Sequence, residues 1–168
     1  MKKAAVVMGL LMVGLVVNPR LWSQDKNRAE LAKAEAEAKV SLEQGLSVSA
    51  HEGKPISAKF EIEDGKLQLS GYTAKGDKFS EVVVDHNTGK AAKTEPITSG
   101  EDLSAAKTQS EAMAKAKQSR SVALARVVKG NPGFHPVSIF PSLKDGHPIA
   151  EITLTKGDEW KTASEKLD

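Results

Sequence analysis

The four histidines, His51, His86, His135 and His147, are the side chains best suited to move a proton or ligate a metal near neutral pH. Their spacing keeps them apart. His135 and His147 fall at opposite ends of a segment that reads as a strand, Pro136 to Leu143, roughly 30 Å apart at about 3.3 Å per residue. No H-x-x-x-H pattern joins any pair. His86 sits inside a turn, and His51 at a helix end, where an imidazolium complements the dipole. Carboxylates gather near turns (Glu61, Glu63 and Asp64; Asp158 and Glu159), whereas an acid/base pair needs a cleft that drives two pKa values apart. No serine stands in G-x-S-x-G, and the glycines punctuate turns without forming a phosphate loop. Asp85-His86-Asn87-Thr88-Gly89 offers oxygen ligands but lacks the other positions of a calcium loop and its bidentate Glu. With no cysteine, disulfides, thiolate metal sites and a Cys nucleophile are excluded. No catalytic, metal or cofactor-binding residue is assigned, no cofactor is implied, and the expectation is a protein that is not an enzyme.

A chain of 168 residues forms one ordinary domain or two small ones. Its net charge of +2 comes from 24 basic and 22 acidic residues interspersed along the chain, unlike the segregated basic face that holds nucleic acid. At the N-terminus, Lys2 and Lys3 precede the uncharged run Ala4 to Val17, broken by Asn18-Pro19-Arg20. That is the pattern of a secretory signal peptide, residues 1–23, with Ser23-Gln24 as the cut. The apolar run is short of the ~20 residues needed to cross a bilayer, so no membrane span is expected after cleavage, and the protein is expected to be exported, periplasmic or secreted.

Residues 24–39 are rich in Ala, Glu, Lys and Arg with Leu31 as the one large apolar group, which reads as a solvated helix or spacer. Ser41 with Gln44 makes a capping box, starting a helix at Leu42. From Ile56 the apolar period shortens to two (Ile56, Ala58, Phe60, Ile62), predicting a strand with one buried face. Asp64-Gly65 is a two-residue hairpin signal, since both positions need positive φ. Strands Lys66 to Ala74 and Phe79 to Asp85 follow. Residues 95–102 read as a linker, and Leu103 to Lys129 as helical.

The order of events then repeats. Setting Pro136 on Pro55, an offset of 81 residues, puts Asp145-Gly146 on Asp64-Gly65 and Lys156-Gly157-Asp158 on Lys75-Gly76-Asp77 without a gap. Phe60 falls opposite Pro141, and a proline in a strand predicts an edge or a bulge there.

The first unit resembles the PepSY domain, also described as the peptidase propeptide domain. The likeness rests on Ser41-Leu42-Glu43-Gln44, Gly53-Lys54-Pro55-Ile56, the Asp64-Gly65 hairpin, Tyr72, and Val83-Val84-Asp85-His86-Asn87-Thr88-Gly89-Lys90. In that last stretch Asp85 can accept backbone N–H bonds while Gly89 takes positive φ. The likeness covers Val40 to Ala92 well and Ala112 to Asp168 weakly, because Trp160 to Asp168 has no Asp-x-x-Thr-Gly turn. It implies an α+β fold: two PepSY-like units after the signal peptide, each a helix packed on a small antiparallel sheet of three to four strands. The units are residues 40–94 and 103–168. The site residues implied are structural: the family turn Asp85, Thr88 and Gly89, and the hairpin turns Asp64, Gly65, Asp145 and Gly146. The function implied is a non-catalytic binding or regulatory module with a protein partner, a peptidase in the family's manner; independently of the resemblance, an exposed sheet edge offers a way to bind by adding or mimicking a strand. A structural component of the cell envelope with no protease target is the alternative.

Overall fold

The computed structural model describes residues 19–168, with side chains from Lys26 onward; residues 1–18 of the expected signal peptide lie outside the described residues. The polar stretch is a helix, α1 (Pro19–Ala36). Ser41 then caps α2 (Leu42–Ser49): its hydroxyl accepts from Gln44 N, and the Gln44 side chain accepts from Ser41 N at 2.8 Å. Four strands follow, β1 (Lys54–Glu63), β2 (Lys66–Lys75), β3 (Lys78–Val84) and β4 (Ala91–Ile97). Helices α3 (Gly100–Lys115) and α4 (Arg120–Gly130) lead into β5 (His135–Lys144), β6 (His147–Lys156) and β7 (Glu159–Lys166). The bounds of β1 and β2 recur in β5 and β6 at the 81-residue offset, and so does a bulge, between Pro55 and Ser57 and between Pro136 and Ser138.

The expectation of two small sheets is corrected. All seven strands join in one antiparallel sheet, in the order β4-β3-β2-β1-β5-β6-β7. The join is the pairing of β1 with β5, and it spans two residue pairs, Ala58↔Ile139 and Lys59↔Ser138. Extending that register sets Pro141 opposite Ile56 and Pro136 opposite Glu61. Each proline lacks the N–H a longer ladder would use. Pro141 is thus neither on an edge strand nor at a bulge; it is fully buried in a central strand where the ladder to β1 has stopped.

Residues paired across strands share a face. One face carries Ala58, Phe60, Leu69, Val82, Val84, Ile139, Ile152 and Leu154, all buried. Helices α2 and α4 cover it, so both halves contribute to a single core. The other face carries Ser57, Lys59, Glu61, Ser70, Tyr72 and Ser138, and α3 crosses it, touching β1, β2, β5 and β6.

Two more expectations are corrected. The linker at residues 95–102 is not a linker: Glu95, Pro96 and Ile97 belong to β4, with Ile97 paired to Phe79, and Gly100 already opens α3. Pro96 misled, since proline is compatible with an edge strand. Nor is Leu103 to Lys129 one helix. Lys117 N and Gln118 N both donate to Leu167 O, at 2.7 and 2.9 Å, drawing the chain out of helix, and Ser119 caps a new one by accepting from Val122 N.

Helix α2 lies close on the sheet because glycine leaves room. A Cβ built at Gly71 would stand 1.7 Å from Ser49 Oγ and 2.7 Å from its Cβ. We therefore expect Gly71→Ala to cost about 1–3 kcal/mol by overpacking, read as a lower urea midpoint. Ser49→Gly should recover part of that loss in the same chain; strictly additive effects would show that the two sites do not meet.

Candidate functional site

The turn residues named from sequence have the conformations their types allow. Asp64 (φ 48°) and Gly65 (φ 72°) form the first hairpin turn, and Asp145 (φ 51°) and Gly146 (φ 81°) the second. Asp85 Oδ1 accepts from Asn87 N at 2.8 Å and Thr88 N at 3.0 Å, and Gly89 takes φ 69°. Its carboxyl is held below the usual Asp range by those two backbone N–H donors. The turn also anchors the connection between α1 and α2, since Lys39 N donates to His86 O at 2.9 Å. Asp64 and Asp85 line one shallow depression with Glu63, Lys66 and Asn87. Because β1 and β5 run antiparallel, the Asp145-Gly146 turn is at the opposite end of the sheet.

The histidines stay dispersed. His147 Nδ1 lies 2.9 Å from Asp168 Oδ2, and His135 Nδ1 lies 4.0 Å from Glu35 Oε1. Among the described residues, no group of three or more His, Asp or Glu side chains is placed to hold a metal ion.

A different set of residues builds a concavity shared by both halves of the chain. Over the β1–β5 join, where the two strands part, lies a groove of about 390 Å³ lined by Arg28 and Leu31 of α1, Lys59, Phe60 and Glu61 of β1, Phe140 of β5 and Trp160 of β7, among others. A smaller pocket of about 90 Å³ adjoins it through Lys59 and Phe140, and adds Tyr72 with Asp102 and Gln109 of α3. Both halves of the chain supply the walls. Separate sheets with no shared pocket would have left an enzyme no place to work, and that arrangement is not the one found.

The chemistry of the groove is set by a ladder of polar contacts running from β3 to β1. The Tyr72 hydroxyl donates to Glu81 Oε1 at 3.3 Å. Lys59 Nζ lies 5.8 Å from the Tyr72 ring centroid and 2.5 Å from Glu61 Oε2. Ser70 Oγ donates to Glu61 Oε1 at 3.4 Å and accepts from Gln68 Nε2 at 3.0 Å. On the α3 side, Ser57 Oγ donates to Gln109 Oε1 at 2.6 Å. Burial, and then the negative charges of Glu81 and Glu61, push the Tyr72 phenol far above its ordinary range, so it stays a hydrogen-bond donor at physiological pH. At the other end, the Arg28 guanidinium lies 5.4 Å from the Trp160 ring centroid.

Sequence reading missed this site because its residues are far apart along the chain. One local signal pointed to it: Tyr72 and Phe140 fall in the outward phase of β2 and β5, whose other phase fills the core, and large aromatics on the nominally wet face mark a covered or binding surface. In comparisons with protein-family models, curated proteins and solved structures, nothing matches this chain.

Two titrations check these electrostatics. Tyr72 is the chain's single tyrosine, so phenolate absorbance reads it alone. Ionisation should be delayed well beyond an ordinary phenol and coincide with alkaline unfolding; a titration at the ordinary value in folded protein would contradict the buried ladder. Asp85, followed by carbon NMR, should titrate below its ordinary 3.8. Its stabilisation is present above that value and is lost as pH falls through the lower native one.

Proposed function

We propose that this chain is an exported, non-catalytic binding module, and that the groove over the β1–β5 join holds a protein partner. The observation that carries the reading is the groove's lining. Trp160, Phe140 and Tyr72 supply rigid aromatic area, as anchor residues do at protein interfaces. The ionisable groups Lys59, Glu61, Tyr72 and Glu81 are engaged with one another, an arrangement suited to recognition more than to proton transfer. Export rests on the N-terminal pattern of basic residues and apolar run; among the described residues no helix is long and apolar enough to cross a membrane. The resemblance to PepSY domains adds the class of partner, a peptidase working outside the cytoplasm.

The groove is preferred over a sheet edge as the contact surface. β4 is exposed along nearly its whole length, but it carries Pro96 and the Lys93–Glu95 ion pair (2.8 Å). β7 carries Glu159, Lys161, Glu165 and Lys166. Charge and proline on an edge discourage the addition of another strand.

The test mixes the purified chain with secreted metallopeptidases and follows substrate hydrolysis. Inhibition is expected, and Trp160→Ala should weaken it by about tenfold or more, the usual effect of deleting an aromatic anchor. Unchanged hydrolysis at high excess removes the peptidase partner. Full inhibition by Trp160→Ala moves the contact surface elsewhere.

A further inference from the structure

Helix α1 roofs the groove but grips it weakly. Leu31 is half-buried and Ala32 buried, while the rest of the segment from Lys26 to Ala36 is mostly polar and exposed. Beyond the helix the chain is pinned again, by the Lys39 to His86 hydrogen bond and by buried Val40. The segment from Glu37 to Ser41 therefore joins a loosely packed helix to a firmly packed one.

Glu35 is the exception on α1. Its side chain is only 10 % exposed, yet the group facing it, the His135 ring, stands 4.0 Å away, beyond hydrogen-bond length, and is itself 65 % exposed. Among the described residues, the titratable group found facing Glu35 is His135 of β5. Lys59 and Glu61 of β1 are engaged with each other beside Arg28. A carboxylate taken out of water without a matched partner opposes its own burial, and gaining a proton removes the opposition.

We propose that α1 is a pH-responsive strap over the groove: it covers Phe140 and Trp160 most tightly when Glu35 carries a proton, and loosens about the Glu37–Ser41 connection as Glu35 ionises. Desolvation raises the pKa of Glu35 above 4.5 in the docked helix, against a smaller opposing pull from His135. Docking is then strongest below the ordinary carboxylate range and weakens as pH rises through the raised value. The strap deepens the binding reading, because it controls access to the same groove.

Its test needs no partner. Hydrogen exchange of the full-length chain, corrected for the intrinsic pH dependence of exchange, compares α1 with α2 and α4. A Trp22→Phe chain reports Trp160 alone by acrylamide quenching. Between roughly pH 4 and pH 8, α1 should lose protection by about tenfold while α2 and α4 hold theirs, and Trp160 should become easier to quench. Glu35→Gln should keep α1 protected throughout. Exchange in α1 that tracks α2 at every pH, or the same pH dependence in Glu35→Gln, overturns the strap. Either result would leave the effect of Trp160→Ala on peptidase inhibition as it was, so the two readings fail separately.

Discussion

The union of the two strand ribbons at β1 and β5 is the constraint on which the rest depends, and ladder hydrogen bonds do little to hold it. Two residue pairs support only a few such bonds, each worth about 1 kcal/mol net. Ala58 and Ile139 at the join are fully buried, and Leu69, Ile152 and Leu154 lie in the same core beneath α2 and α4. Burying each large aliphatic side chain is worth about 1.5–3 kcal/mol, so the shared core, and not the ladder, makes the halves one body. Helix α3 reinforces this from the other side by crossing both halves.

That division of labour explains why the two faces differ. The face that unites the halves is apolar around the join, where Ala58, Phe60, Leu69 and Val82 are all buried, and the one polar side chain buried on it further along β2, Thr73, donates to Ser80 O. The opposite face is released from that duty. It can bury Ser57 against Gln109 and carry the chain of contacts from Glu81 through Tyr72 and Lys59 to Glu61, because each of these polar groups has a partner. Small residues let α3 approach: its buried positions include Ala106 and Ala112, with Met113 filling space at the far end.

Local chemistry was legible in the sequence wherever a few neighbouring residues decide the conformation. Ser41 with Gln44 fixes the start of α2, and Asp64-Gly65 and Asp145-Gly146 fix two hairpins, since each motif satisfies its own backbone. What escaped depends on distant atoms. The break between α3 and α4 is stabilised by the carbonyl of Leu167, roughly fifty positions on, and nothing between Lys115 and Ser119 announces it. Strand β4 is polar on both faces, so no alternation marks it; its evidence is the neighbouring β3. The groove was invisible for the same reason, since Lys59, Phe140 and Trp160 meet only after β1, β5 and β7 have joined one sheet.

The prolines connect these observations. Pro55, Pro136 and Pro141 flank the shared register of β1 and β5, so the ribbons can pair only briefly before their backbones part. A fully zipped sheet would bring β1 and β5 together along their length and leave less room above the join. Halting the ladder after two pairs separates Glu61 and Ile62 from the start of β5 and opens the floor on which Leu31 and Arg28 of α1 come down. The same residue type guards the outer edge at Pro96, where an additional strand would otherwise find unpaired backbone. Proline placement thus caps the outer edge and cuts the central ladder short, which is why a concave surface lies over the join.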